Sequence, residues 1–179
     1  MREAVAKLRH EGLVVSHQGL GVFVASPDQS ATLMLNHGSL ARPEDYRHLY
    51  AVRRFLEGGS AHEAALNHDD GDLAKMAGCI DLMLQASDTG DYVEANIGFH
   101  RSAATATKNP FIGLFISFVD TKLKESVALA LKSLDYESTV RISTAEHRRI
   151  LDRIGERDAA GAERAMREHL TNSARRLGL

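Results

Sequence analysis

Apolar residues recur every three to four positions through most of the chain, which is the period of an amphipathic α-helix. From residue 43 onward, this pattern predicts successive helices joined by short turns. The predicted helices span about 43–67, 70–86, 91–109, 110–134, 137–155 and 158–176. The fold class is therefore predicted to be mostly α, with about six helices in an antiparallel bundle.

The first 26 residues have a different pattern. Residues 1–12 are typical of the end of an amphipathic helix that closes at Gly12. Two β-branched runs, Leu13–Ser16 and Val22–Ala25, then flank a glycine-containing turn and predict a β-hairpin. The predicted domains are a helix-plus-hairpin segment at 1–26, a linker at 27–42 and a helical domain at 43–179.

Composition excludes few classes of protein. The formal net charge of −2 gives no whole-chain signal for a nucleic-acid or membrane partner. The sequence contains neither the apolar run of a signal peptide nor one long enough to span a bilayer, so we expect a cytoplasmic protein. Because Cys79 is the only cysteine, an intrachain disulfide and a thiolate zinc site are excluded.

Candidate chemistry lies on the inward faces of three predicted helices. Asn96 and His100 are four residues apart, so they lie above one another on one apolar face. His147 and His169 also fall on apolar faces, and both are 11 residues from position 158, in the turn between their helices. We therefore expect these two histidines to face each other. The remaining histidines are predicted to be solvated: His10, His17, His37, His48, His62 and His68.

Three imidazoles that converge with an Asn side chain would form a site for a divalent metal, most plausibly zinc or nickel. The alternative is that each histidine is a hydrogen-bonded core residue with no metal. A single inward histidine favours that alternative, whereas convergence of His100, His147 and His169 favours the metal site.

Arg53 is the other candidate binding residue. Leu49, Val52 and Leu56 mark the predicted inward face of the first long helix, and Arg53 falls on the same face. A buried guanidinium requires a carboxylate partner. Glu57, one turn further on, is one candidate, and the carboxylate of a bound effector is the other.

The order of these motifs resembles that of a known family. The recognition helix and wing of GntR-type bacterial transcription regulators are similar to R-E-A-V-A-K-L-R-H-E-G-L-V-V-S-H-Q-G-L-G-V-F-V. The ligand-binding FCD domain of their FadR-like branch is similar to V-R-R-F-L-E, N-I-G-F-H-R, E-H-R-R-I-L-D-R-I and A-M-R-E-H-L. The resemblance covers nearly the whole chain.

The resemblance implies a dimeric DNA-binding regulator, not an enzyme, whose helical domain binds a small organic acid and often a divalent metal. The family's metal ligands correspond here to Asn96, His100, His147 and His169, the set already reached from helical spacing. Asn96 stands where many members have aspartate, which removes one negative charge from the site. The arginine that faces the effector in the family corresponds to Arg53.

The resemblance also implies that Met1 lies inside the recognition helix. We therefore expect only a partial winged helix in residues 1–26 and weak or no sequence-specific DNA binding. Candidate DNA contacts within this segment are Arg2, His17, Gln18 and Gly19.

Two other functions are compatible with the same residues. A metal-dependent enzyme would use the three histidines for hydrolysis or lyase chemistry, which requires a general base close to metal-bound water. Glu146 and Glu168 each adjoin a candidate ligand, and so point about 100° away from it on the helix. A helical dimer with packed, metal-free histidines is the second alternative.

Overall fold

The computed structural model of the chain describes residues 14–17, 21–24, 43–117, 119, 124, 128 and 135–179. The chain divides into two compact units, Met1–Ser39 and Leu40–Leu179. In the first unit, strand β1 (Val14–His17) pairs antiparallel with β2 (Gly21–Val24). The predicted hairpin is therefore present, with each strand displaced by one residue.

The described part of the second unit is built from helices. They are α1 (Pro43–Asn67), α2 (Asp70–Gln85), α3 (Thr89–Ala106), α4 (residues 110–117), α5 (Tyr136–Gly155) and α6 (Ala159–Arg176). Helix α1 packs on α6, α2 on α3, and α5 on α6. The predicted mostly α fold is confirmed. Within the described residues, no helix is both long and apolar enough to cross a bilayer.

The buried face of α1 differs from the predicted one. Val52, predicted to face inward, is 47% exposed, whereas Tyr50, Arg53 and Glu57 are fully or almost fully buried. The predicted inward face is rotated around the helix axis relative to the observed buried face. The arginine–glutamate pair lies at the centre of the observed face. Arg53 is buried, as predicted, but charged residues count as polar in such a pattern, so the period alone did not place Glu57 on the same buried face.

Aspartate side chains close the amino-terminal ends of three helices. Asp69 and Asp72 form a capping box on α2, and Asp88 accepts a hydrogen bond at the start of α3. Asp158 accepts one from the backbone of Gly161 on α6, and a β-carbon added to that glycine would lie only 2.0 Å from an Asp158 oxygen. These caps fix the starts of two helices that carry candidate ligands, α3 and α6.

Helix α3 ends three residues before its predicted end at position 109. The Thr107 hydroxyl donates to the Ala104 carbonyl, and Lys108 adopts a positive φ of 58°. A residue in the left-handed region cannot continue an α-helix. The chain therefore leaves the helix before Pro110.

Candidate metal centre

The three predicted histidines meet in the interior of the helical unit. His100 lies on α3, His147 on α5 and His169 on α6, and each is at most 3% exposed. One ring nitrogen from each histidine lies within 4.8 Å of the others. His100 Nε2 is 3.3 Å from His147 Nε2, and Asn96 Nδ2 is 3.4 Å from the same His147 atom. The structure thus brings together all four residues that helical spacing singled out.

Acceptor-only groups hold the Nδ1 atoms of two of these imidazoles. His147 Nδ1 lies 2.7 Å from the backbone oxygen of Ser143, and His169 Nδ1 lies 2.7 Å from a carboxylate oxygen of Glu146. Because these oxygens only accept, both Nδ1 atoms must carry the hydrogen. In a neutral imidazole, the Nε2 atom then has a free lone pair, which is the form that binds a metal.

His100 is held by a buried carboxylate that an arginine also contacts. His100 Nδ1 is 2.5 Å from Glu57 Oε2, an ion-pair contact that is not aligned as a hydrogen bond, and neither atom has a hydrogen-bond partner among the described residues. The other oxygen, Glu57 Oε1, accepts a hydrogen bond of 2.7 Å from Arg53 Nε. Burial alone would raise the pKa of Glu57, but Arg53 and then His100 lower it to about 2. The carboxylate therefore remains ionised beside His100.

Glu146 is a second carboxylate with the same role. Besides His169, it accepts hydrogen bonds from Asn172 at 2.9 Å and from both terminal nitrogens of Arg176, at 3.2 and 3.0 Å. Burial would raise the pKa of Glu146, but His169 and Arg176 lower it to about 2. Two of the three histidines thus belong to an arginine–glutamate–histidine chain, and a backbone carbonyl orients the third.

The surroundings favour the neutral form of two of the imidazoles. Burial, and then the neighbouring His169 and His100, hold the pKa of His147 well below its usual value. Burial is also the main reason that the pKa of His169 falls to about 4, despite the opposing effect of Glu146. At neutral pH, both rings are therefore uncharged and can donate a lone pair.

The 3.3 Å contact between two Nε2 atoms requires a hydrogen or a metal ion between them. Two lone pairs at that distance repel, unless a proton on His100 or a metal ion lies between them. Tetrahedral zinc with bonds of about 2.05 Å would separate two nitrogen ligands by about 3.3 Å. The distance between these two nitrogens therefore matches that between two zinc ligands, and the third histidine nitrogen lies within 4.8 Å of both.

Asn96 fits the same site through its amide oxygen. The amide nitrogen now faces His147 Nε2, and a half-turn of the amide would present Oδ1 instead. Either orientation keeps the side chain 4% exposed and beside the imidazoles. An Asn oxygen is a neutral ligand, so all four candidate ligands lack a negative charge.

Sequence reasoning missed the role of Glu146. Its position beside His147 does place its side chain on a different helix face, as expected, but that face meets α6 and therefore His169. The spacing of Glu57 after Arg53 did signal a pair, and that pair forms. Glu57 also contacts His100, and this contact depends on how α1 packs against α3. The hydrophobic period of a single helix does not predict how two helices pack.

Of the histidines predicted to be solvated, the side chains of His10, His17 and His37 lie outside the described residues. Of the other three, His48 is exposed, His62 is partly exposed and His68 is buried. His68 is 6% exposed, and its Nδ1 lies 2.9 Å from the Ala64 carbonyl at the end of α1. The guanidinium of Arg157 covers the neighbouring carbonyls, including that of His68 at 3.2 Å. The prediction was wrong because the end of α1 packs against the turn between α5 and α6 and does not face solvent.

The four candidate DNA contacts fall mostly outside the described residues. Arg2, Gln18 and Gly19 lie outside them, and His17 is described only as the last backbone position of β1. Their role in DNA binding therefore stays a prediction.

Comparison with known proteins identifies the family. The FCD domain model matches residues 48–172. The transcriptional regulator LutR of Bacillus subtilis is 30% identical over 176 residues, which cover 96% of this chain and 80% of LutR. The transcriptional repressor NanR of Cronobacter sakazakii is 27% identical over 178 residues, which cover 96% of this chain and 68% of NanR.

Solved structures share the fold. Streptococcus agalactiae GntR aligns with a TM-score of 0.68 at 20% identity, covering 97% of this chain and 80% of that one. E. coli McbR/YncC aligns with a TM-score of 0.67 at 14% identity, covering 96% and 80%. The chain belongs to the GntR-type transcription regulators of the FadR-like branch, which carry an FCD effector-binding domain. It is therefore a DNA-binding regulator rather than an enzyme.

Proposed function

We propose that this regulator responds to a small carboxylate effector through a divalent metal bound by Asn96, His100, His147 and His169. The observation that supports the proposal most strongly is the contact between two buried Nε2 atoms at 3.3 Å. His147 Nδ1 is hydrogen-bonded to a backbone carbonyl, and His100 Nδ1 lies beside the Glu57 carboxylate. Zinc and nickel are the metals that best suit three imidazoles and one amide oxygen.

Charge explains why the effector would be an anion. Three neutral imidazoles and an amide leave the double charge of the metal uncompensated. The nearby carboxylates do not compensate it, because Glu57 is paired with Arg53 and Glu146 with Arg176. A carboxylate at the metal's remaining coordination positions would supply the missing negative charge.

Arg53 is included in the proposal as an effector contact. Its Nε–H is committed to Glu57, so its terminal nitrogens would be the groups that clamp a carboxylate. The guanidinium also lies over the ring of Tyr50, 4.9 Å from its centroid, which holds it in one orientation. Effector binding near Arg53 would therefore meet a preorganised cation.

Regulation would follow from a shift between helix arrangements. The proposed site draws side chains from α3, α5 and α6, and Glu57 connects it to α1. Metal and effector together would favour one arrangement of these helices over others. In a homodimer, that arrangement would set the spacing of two DNA-binding units on operator DNA, in the cytoplasm. Sedimentation equilibrium of the purified protein would test the dimer.

The competing proposal is a metal-free helical dimer with a proton on His100 instead of a metal. The two proposals differ in metal content. We expect about one zinc or nickel ion per chain after purification without chelator, and loss of that metal in both His100→Ala and His147→Ala. His48→Ala, which changes an exposed histidine, serves as the control. Unchanged stoichiometry in the first two variants would show that the site is assigned wrongly.

A further inference from the structure

One buried hydroxyl beside the candidate metal centre has no hydrogen-bond partner. Tyr92 is 1% exposed, and its hydroxyl oxygen pairs with no other atom in the described part of the chain. A buried hydroxyl without a partner costs roughly 1–3 kcal/mol, so such groups in native proteins usually have a ligand, a water or a functional reason.

The position of Tyr92 connects it with the proposed site. Tyr92, Asn96 and His100 are spaced four residues apart on α3, so all three lie on one helix face. The hydroxyl lies near the side chains of Ser143 and Asn96, although it makes no well-aligned hydrogen bond with either. It is thus a polar group on the wall that also carries a candidate metal ligand.

Burial keeps this hydroxyl protonated. It raises the pKa of Tyr92 above its ordinary value of 10, against the smaller opposing effects of Ser143, Arg176 and Asn96, and Glu146 adds only the smallest effect in the raising direction. The ring is held from the side by Tyr136, whose centroid lies 6.4 Å away in an edge-to-face contact. The hydroxyl is therefore a fixed hydrogen-bond donor.

We propose that the Tyr92 hydroxyl donates a hydrogen bond to a carboxylate whose other oxygen occupies an open coordination position of the bound metal. The inference rests on the proposed function and adds a residue that selects the ligand. The ligand class is a small carboxylate, because it must present one oxygen to the metal and a second oxygen to the hydroxyl. Bound ligand would supply the partner that Tyr92 lacks.

The test uses the full chain loaded with Co²⁺, whose visible spectrum reports its coordination, and acetate as the probe anion. Tyr92→Phe removes only the hydroxyl. We expect its Co²⁺ affinity to stay within about twofold of the original chain and its acetate affinity to fall about tenfold. Tyr136→Phe is the matched control, because that hydroxyl donates to the Asp88 carbonyl at the surface, and both affinities should be unchanged.

Other outcomes would overturn the inference. Equal acetate affinity in Tyr92→Phe and the original chain would mean that the hydroxyl does not contact the anion. Weaker Co²⁺ binding with unchanged acetate affinity would mean that Tyr92 orients Asn96 instead. An original chain that binds no Co²⁺ would contradict the proposed function itself, whereas one that binds Co²⁺ but not acetate would contradict only its anion-binding part and this inference. Circular dichroism of Tyr92→Phe separates misfolding from loss of binding.

Discussion

Each of the three imidazoles has a different partner for its second ring nitrogen. A backbone carbonyl contacts His147, a largely buried arginine–glutamate pair contacts His169, and an almost fully buried arginine–glutamate pair contacts His100. Partners of this kind set the tautomer and the orientation of a ligand ring, and their loss typically costs 10- to 100-fold in metal affinity. We therefore expect Glu57 to contribute both to metal affinity and to the stability of the fold, and the two contributions can be measured independently.

Glu57→Gln should reduce zinc affinity about tenfold and also destabilise the fold by about 3 kcal/mol, because Arg53 loses its buried counter-charge. The double variant Arg53→Met/Glu57→Gln should recover most of the stability but not the zinc affinity. Urea unfolding and competition with a chromophoric chelator measure the two effects. Glu63→Gln, at an exposed position of the same helix, is the control.

Recovery of zinc affinity in the double variant would contradict this role of Glu57. It would mean that the loss in the single variant came from misfolding, not from the contact between Glu57 and His100.

At the residue scale, the sequence predicted that the four candidate ligands and Arg53 face inward, but it placed Val52 and His68 wrongly and missed most contacts between helices. Asn96, His100, His147 and His169 follow from helical spacing alone. Glu146 and Tyr92 do not, because their contacts depend on the angle and depth at which α3, α5 and α6 pack. The packing angle and depth depend on how side chains of two helices fit together, and the hydrophobic period of one sequence carries no information about that fit.

At the scale of elements, the starts of α2 and α6 were predicted to within one residue, whereas α3 begins at Thr89, inside the predicted turn. Asp69, Asp88 and Asp158 precede α2, α3 and α6 directly, and each accepts a backbone hydrogen bond. The end of α3 was not predicted, because the proline that signalled it lies two residues beyond the left-handed Lys108. Capping therefore determines the position of α3, and with it Asn96 and His100.

Asp88→Ala should lower the free energy of unfolding by about 1 kcal/mol, since it leaves a backbone N–H of α3 without its cap. Asp135→Ala is a matched control, because Asp135 occupies the N-cap position of α5 without making a side-chain cap bond. Its cost should stay below about 0.5 kcal/mol. Thermal unfolding of both variants compares the two, and equal costs would contradict the assigned cap.

At the scale of the whole molecule, the helical fold and its family were predictable from the sequence, because period and motif order extend over most of the chain. The proposed domain division at 26 and 42 stays a prediction, as does the helix expected over 118–134 beyond the positions that are described.

The buried titratable groups predict that the metal-free protein is unstable in acid. The pKa of His169 is about 4 in the folded chain against an ordinary value of 6.5, so the unfolded chain binds more protons between these values. Stability should fall on the order of 2–3 kcal/mol between pH 7.5 and 4.5 from this group alone. Glu57 and Glu146, with pKa values of about 2, should add a further loss below pH 4.5.

Urea unfolding at several pH values in the presence of a chelator measures this dependence. Stability that is constant or higher at pH 5 would contradict the buried, neutral state of His169.

The most direct test of the central claim is X-ray absorption spectroscopy of the zinc-loaded protein. We predict three imidazole nitrogens and at least one oxygen at about 2.0–2.1 Å from the metal. In His147→Ala, the imidazole count should fall or zinc binding should be lost. A zinc ion surrounded by oxygen ligands with fewer than two imidazoles, or a spectrum unchanged in His147→Ala, would contradict a metal centre at His100, His147 and His169.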